Sequence, residues 1–240
     1  MSFSATWLRK CAPIFRAILL GALISAGATS AALARNGHGG PHRHRYLIQG
    51  IDVSHYQGTI DWRGVAGDDV AFAYVKATEG VAGRDAEFGR NWWGARRAGL
   101  RVGAYHYFIF CRSAGAQARN FLAVSPRMAG GLPPAVDLEP ARSCPVPLTG
   151  EEMRRELNAY LAIVEAHQRR QAVLYVTPQF YAAYGRYLPR RPMWRRSISL
   201  TATPNGSWTF WQYGSQGRVS GIRTYVDLNV VRASRYASAL

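Results

Sequence analysis

Residues 134 to 177 read PAVDLEPARSCPVPLTGEEMRRELNAYLAIVEAHQRRQAVLYVT. A short apolar run, Ala135 to Leu138, leads through a Pro-containing turn into a long helical stretch and then into a second run, Ala172 to Thr177. Thr149 followed three residues later by Glu152 forms a capping box, and Met153, Leu157, Leu161 and Val164 recur on one helical face, so a helix is predicted over 150–168. Strand, helix and strand in that order build a parallel sheet.

The same alternation continues outward in both directions. Runs rich in Val, Ile and Tyr lie at Ile48 to Val53, Val70 to Ala77, Arg101 to Phe108, Trp194 to Leu200, Trp208 to Tyr213 and Thr224 to Val230, with helical stretches around 86–98 and 113–124. Eight strands, with helices between the first five or six, predict an α/β fold: one domain whose parallel sheet closes into a TIM-like β/α barrel. The chain is short for such a barrel and the runs after Arg190 are closely spaced, so the barrel is expected to be modified and partly incomplete, its last helices missing or degenerate.

The amino-terminal residues stand apart. Arg9, Lys10 and Arg16 precede an uncharged run from Ala17 to Ala34 that ends in Ala32-Leu33-Ala34: a basic region, an apolar core and a small-x-small cleavage site. Residues 1–34 are therefore expected to be a signal peptide cleaved near Ala34, which places the rest of the chain outside the cytoplasm, secreted or periplasmic. The alternative is a retained anchor, the only membrane contact foreseen. Residues 35–45 (RNGHGGPHRHR) read as a basic Gly/His/Arg linker rather than a metal site, because no Cys or carboxylate accompanies His38, His42 and His44. The barrel then occupies 46–240. Removal of residues 1–34 leaves Cys111 and Cys144, and an even pair in an exported protein suggests one disulfide, with two free thiols as the alternative.

The full chain carries a formal charge of +16, and +13 without residues 1–34. Lys10 and Lys76 are the only lysines, so the charge is almost all arginine. With 18% charged and 48% hydrophobic residues the chain is no disordered polybasic tail. The charge alone admits nucleic acid as a partner, but no recognition motif accompanies it, and export argues against it.

The 14 acidic residues are few enough to sort individually. Glu151, Glu152, Glu156 and Glu165 belong to the capped helix, and Asp61, Asp68, Asp69, Asp85 and Glu87 lie in polar, Gly-containing segments typical of turns and caps. Asp52, Asp137, Glu139 and Asp227 are different: each stands inside an apolar strand-like run, where an acid is costly unless it is paired or hydrogen-bonded. Side chains two apart on a strand share a face, with Cα atoms about 6.5–7 Å apart, so Asp137 and Glu139 point the same way. Two carboxyl groups on one face push their pKa values apart, leaving one protonated as an acid and one ionised, which is the division of labour that glycosidic cleavage needs. Pro140 ends the strand and puts the pair at its carboxyl end.

Six ordered motifs extend this reading: IQGIDVSHYQG (48–58), with IDW (60–62) following, FAYVKATEG (72–80), AGLRVGAYHYF (98–108), PAVDLE (134–139), FWQY (210–213) and VDLN (226–229). Together they resemble the glycoside hydrolase family 25 lysozymes, N-acetylmuramidases with a modified β/α barrel, over residues 46–232. The resemblance implies Glu139 as general acid, Asp137 as its companion carboxylate, and Asp52 and Asp227 as the third and fourth acids of the centre. It also implies cleavage of the β-1,4 bond after N-acetylmuramic acid in peptidoglycan with retention of configuration; the i, i+2 spacing of the pair favours attack by the sugar's own acetamido oxygen, with a direct carboxylate nucleophile or an inverting mechanism as the alternatives. Tyr56, Tyr105, Tyr107, Tyr175 and Trp211 are candidates to line a sugar groove, and Lys76 and Glu79 are candidates for substrate contact or a local ion pair. His55 and His106 are expected to be hydrogen-bonded supports. No metal, nucleotide or redox cofactor is implied, and a monomer is expected. Where the family often continues Pro-Met-Trp with small apolar residues, this chain has Arg195-Arg196-Ser197, a change expected to lie away from the acids. A catalytically silent glycan-binding protein would have little reason to keep all four acids. A chitinase would show D-x-x-D-x-D-x-E, and the two upstream Asp positions here are Leu132 and Ala135.

Overall fold

The capping box at the start of the long helix is present. Thr149 Oγ1 accepts from the Glu152 N–H at 3.3 Å, and the Glu152 carboxylate accepts from the Thr149 N–H at 2.8 Å. A computed structural model describes residues 47–127, 130–140, 144, 148–198 and 203–238, all within one compact unit. The expected signal peptide and linker fall outside the described residues.

The elements follow the order β1 (Leu47–Val53), α1 (Trp62–Ala66), β2 (Phe72–Glu79), β3 (Gly83–Arg84), α2 (Phe88–Arg97), β4 (Arg101–Tyr107), α3 (Ala114–Val124), β5 (Ala135–Leu138), α4 (Gly150–Gln168), β6 (Val173–Val176), α5 (Pro178–Tyr184), β7 (Met193–Arg196), β8 (Phe210–Gly217), β9 (Val226–Arg232) and α6 (Ala233–Ser238). Strand order is β1-β9-β8-β7-β6-β5-β4-β2, and β2 pairs back to β1, closing an eight-stranded barrel; β3 only extends β2 outward.

The sequence predicts an all-parallel barrel, and here the structure differs. Pairings from β1 through β2, β4, β5, β6, β7 and β8 are parallel, but β9 runs antiparallel to both β8 and β1. Only residues 218–225 join β8 to β9, too few for the crossover of a dozen or more residues that a parallel return needs. No helix is described between β7 and β8, so the incompleteness expected after Arg190 is real.

The barrel interior is filled by large rings. Phe72, Tyr74, Tyr175, Trp194 and Phe210 pack together, with Tyr74 stacked on Trp194 at 4.7 Å between centroids. Two glycines make room for them. A Cβ on Gly50 would lie 2.3 Å from the Phe72 ring, and one on Gly103 would lie 2.3 Å from Tyr74, the ring directly opposite each in the sheet register. The outward faces of β2, β4, β5 and β6 bury Val75, Val102, Val136, Leu138 and Leu174 in a second core with Trp92, Phe121, Leu157 and Phe180 from the surrounding helices. A disulfide joins Cys111, just after β4, to Cys144 in the β5–α4 connection.

Candidate active site

Alternation decides which side chains enter the barrel. On β1, Ile51 and Val53 face the outer core, so Asp52 faces inward. Register places Asp227 opposite Asp52 across the β1–β9 pair. Because β9 is antiparallel, its first residues lie at the same barrel end as the carboxyl ends of the parallel strands. On β5, Val136 and Leu138 face outward, and Asp137 and Glu139 face in. All four acids line one cavity of about 500 Å³, together with Tyr105, Tyr175, Thr177, Gln179, Trp194, Arg196 and Gln212.

Asp52 is held by two amides. Its Oδ2 accepts from Asn229 Nδ2 at 2.7 Å and from Gln212 Nε2 at 3.0 Å. Each amide is in turn oriented by a donor on its oxygen: the Trp194 indole N–H on Asn229 Oδ1 at 2.8 Å, and the Tyr175 hydroxyl on Gln212 Oε1 at 2.9 Å. Burial nonetheless pushes Asp52 up to about 6, against these two hydrogen bonds. Asp227 is pushed up to about 8, by burial first and then by the Asp52 charge.

The Asp137–Glu139 pair shares a hydrogen bond. Burial, then the charges of Glu139 and Asp52, hold Asp137 well above the usual carboxylate range, so it keeps the proton and donates it to Glu139. Burial also raises Glu139, but the bond from Asp137 and the positive charges of Arg196 and Lys76 oppose the rise. Asp137 Oδ1 is buried without a partner among the described residues. Such an acceptor has room for one donor from a bound molecule.

The other sequence candidates divide. Tyr105 and Tyr175 line the acid cavity. Lys76 and Glu79 bond each other at 2.6 Å and line a neighbouring cavity of about 360 Å³ beside the β2–β3 turn, with His55, Arg84 and Arg112. The Lys76 ammonium lies over the Tyr107 ring, 5.3 Å from its centroid. Tyr56 is 75% exposed and packs against His55, outside the acid cavity.

Trp211 is a correction. It is fully buried on the outer face of β8 with Trp208 and Tyr213, its indole N–H on Ser197 O at 2.8 Å. The inward position on β8 belongs to Gln212, which sequence reasoning misses. The Arg195-Arg196 departure is a second correction: Arg196 lines the acid cavity instead of lying away from it.

Both histidines are hydrogen-bonded as expected. His55 binds the buried Asp85 carboxylate through its backbone N–H and Nδ1, at 2.9 and 2.8 Å. His106, pushed down to about 4 by burial, sits on the outer face of β4 between Thr78 and Gln117. Among the described residues no group of three or more His, Cys, Asp or Glu side chains is arranged to hold a metal ion.

A closed β/α barrel whose mouth gathers four carboxyl groups with raised, mutually dependent pKa values is the construction of a glycoside hydrolase. Residues 51–222 match the family described as "Glycosyl hydrolases family 25", and the chain belongs to that family. A family 25 glycosyl hydrolase from Bacillus anthracis superposes with a TM-score of 0.74 at 37% identity, over 81% of this chain and 93% of that one. The bacterial lysozyme from Streptomyces coelicolor gives 0.72 at 34% identity, over 80% and 96%. Lysozyme M1 of Streptomyces globisporus is 34% identical over 204 residues, covering 78% of this chain and 68% of its own.

Proposed function

We propose that this chain is an exported N-acetylmuramidase that hydrolyses the β-1,4 bond between N-acetylmuramic acid and N-acetylglucosamine in peptidoglycan, with retention of configuration. The observation that carries the reading is the Asp137–Glu139 pair: one shared proton, and one buried carboxyl oxygen of Asp137 open to a new donor. The N–H of a 2-acetamido group on the sugar supplies that donor. Once Asp137 accepts from the substrate, its proton passes to Glu139, which then protonates the leaving oxygen as general acid. Asp137, now ionised, orients the acetamido group as its oxygen attacks the anomeric carbon, and it stabilises the positive charge on the resulting oxazoline-like ring. Water opens that ring with Glu139 acting as base.

Asp137 and Glu139 project from one wall, so attack by one and protonation by the other from opposite sides of the sugar is awkward. This favours the sugar's own oxygen as nucleophile. Asp52 and Asp227, partly proton-bearing, complete the polar wall facing the pair, and Tyr105 and Tyr175 offer ring faces to the sugar.

Export follows from residues 1–34 acting as a signal peptide, 35–45 as a solvated linker and 46–240 as the catalytic barrel, monomeric and secreted or periplasmic. The arginine excess favours encounter with an anionic wall polymer, an attraction that salt screens.

Digestion of purified peptidoglycan followed by mass spectrometry tests the bond assignment: muramic acid is expected at the new reducing end, and N-acetylglucosamine there means a glucosaminidase instead. Glu139→Gln is expected to abolish cleavage while wall binding persists, and a fully active variant removes Glu139 from the role. Proton NMR of the first product anomer tests retention, and sequencing of the exported chain tests cleavage before Arg35.

A further inference from the structure

β7 turns Arg196 into the mouth of the barrel. Around the barrel, β7 lies two strands from β5, which carries Asp137 and Glu139, and two strands on the other side from β9, which carries Asp227. Asp52 follows one strand further, on β1. Arg196 is the one cation among the described residues lining this cavity. The other cation near the acids, Lys76, stands on the opposite wall and is engaged by Glu79 at 2.6 Å. Among the described residues no carboxylate lies within ion-pair contact of the Arg196 guanidinium, so its charge is not spent on one partner.

We propose that Arg196 is a positioning residue, the shared counter-charge of the two carboxylate pairs, which fixes how the protons of the cavity are distributed at working pH. The proposal rests on the muramidase reading only for the activity it modulates. Facing Arg196 are Asp52 from β1, Lys76 from β2, Tyr105 from β4, Asp137 and Glu139 from β5, Tyr175 from β6 and Asp227 from β9. Gln212, its register partner on β8, is neutral. Both tyrosines stay protonated, since burial holds them well above their ordinary range. The remaining charges are the four carboxyl groups and two cations.

The Arg196 charge opposes the rise of Asp52, Glu139 and Asp227, whereas Asp137 is opposed chiefly by Lys76. Arg196 therefore acts selectively. It holds the Asp52–Asp227 wall more ionised and brings Glu139 closer to releasing its proton, while leaving Asp137 as the proton-rich partner. Loss of the guanidinium raises Asp52, Asp227 and Glu139 together, so the limb of the pH–rate bell on which Glu139 loses its proton moves to higher pH.

The test compares the native protein with Arg196→Gln and Arg196→Lys. Carboxyl-carbon NMR titration of the free protein is expected to show Asp52 and Asp227 titrating about one pH unit higher in Arg196→Gln and near their native values in Arg196→Lys. That limb of the bell for kcat/KM on peptidoglycan is expected to follow, with KM little changed. Native titrations in Arg196→Gln overturn the proposal. So does a KM rise with an unshifted bell, which makes Arg196 a saccharide contact. A native protein inactive on peptidoglycan sinks the muramidase reading instead, and the carboxyl titrations still decide the role of Arg196.

Discussion

Asn229 donates to Asp52 Oδ2 at 2.7 Å from two residues beyond Asp227, the register partner of Asp52, so the strand that brings up a second acid also brings the amide that steadies the first. With its oxygen occupied by Trp194, the Asn229 amide has one orientation available.

Asn229→Leu removes this donor from the ionised form of Asp52. A hydrogen bond to a charged group contributes about 1.5–3 kcal/mol, which corresponds to a rise of roughly one to two pH units. Asp52 is expected to titrate well above its present value of about 6, and kcat at pH 6 to fall about tenfold or more. Carboxyl NMR together with kcat measured from pH 4 to 9 checks both.

The raised acids make stability depend on pH in a defined direction. A carboxyl group with a raised folded pKa still holds its proton in the native state where the unfolded chain has lost it. The native state then binds more protons, and stability falls as pH rises. The window runs from the ordinary aspartate value of 3.8 to about 6 for Asp52 and to about 8 for Asp227. Thermal unfolding should therefore show a higher Tm near pH 5 than near pH 8. Asp227→Asn should add about 2–4 kcal/mol at pH 9 and almost nothing at pH 3. Equal effects at both pH values would refute the assignment.

Tyr175 and Trp211, both read from the sequence as groove residues, are expected to separate experimentally. Trp211→Leu empties a buried site on the outer face of the barrel, outside the acid cavity, and should cost about 3 kcal/mol of stability with KM unchanged. Tyr175→Phe keeps the ring but loses the hydroxyl that orients Gln212. It should cost only about 1 kcal/mol while raising the Asp52 pKa and lowering kcat. Denaturant unfolding and steady-state kinetics on each variant distinguish the two roles.

What the sequence makes legible follows from period and cost. Helix α4 is readable from its capping box and apolar spacing, and the four acids from standing in apolar runs. The antiparallel β9 is hidden because a β-branched run has the same appearance in either direction, although the eight residues before it are too few for a crossover. Helix α5 escapes notice because seven residues give little periodicity, yet Thr177-Pro178 carries a cap and a first-turn proline. The ring of Trp211 suggests a sugar platform, whereas alternation along β8 turns that ring outward and brings in Gln212. Gln212 and Asn229 carry no signal of their own, since neutral amides are common on strand ends and only the closed barrel shows both aimed at Asp52. The place of Arg196 is hidden because seventh-strand residues are distant in sequence from every acid except by barrel closure.

Gly103 lies at the start of a chain of contacts that ends at Asp52. The hydrogen it carries in place of a side chain lets the Tyr74 ring lie against β4, where a Cβ would meet that ring at 2.3 Å. Tyr74 stacks on Trp194, Trp194 donates to Asn229, and Asn229 donates to Asp52. Gly103→Ala must therefore displace Tyr74, at about 1–3 kcal/mol for overpacking a filled interior, and the displacement has Trp194 next in line. The variant should lose stability and kcat together, and Asp52 should titrate higher as the Asn229 bond lengthens. A double-mutant cycle with Tyr74→Leu isolates the share due to the ring, because the second neighbour of the added methyl group, Leu132 Cβ at 2.9 Å, is present in both backgrounds. If Gly103→Ala costs the same in both backgrounds, the ring is not what the glycine accommodates; a smaller penalty in the Tyr74→Leu background shows that it is.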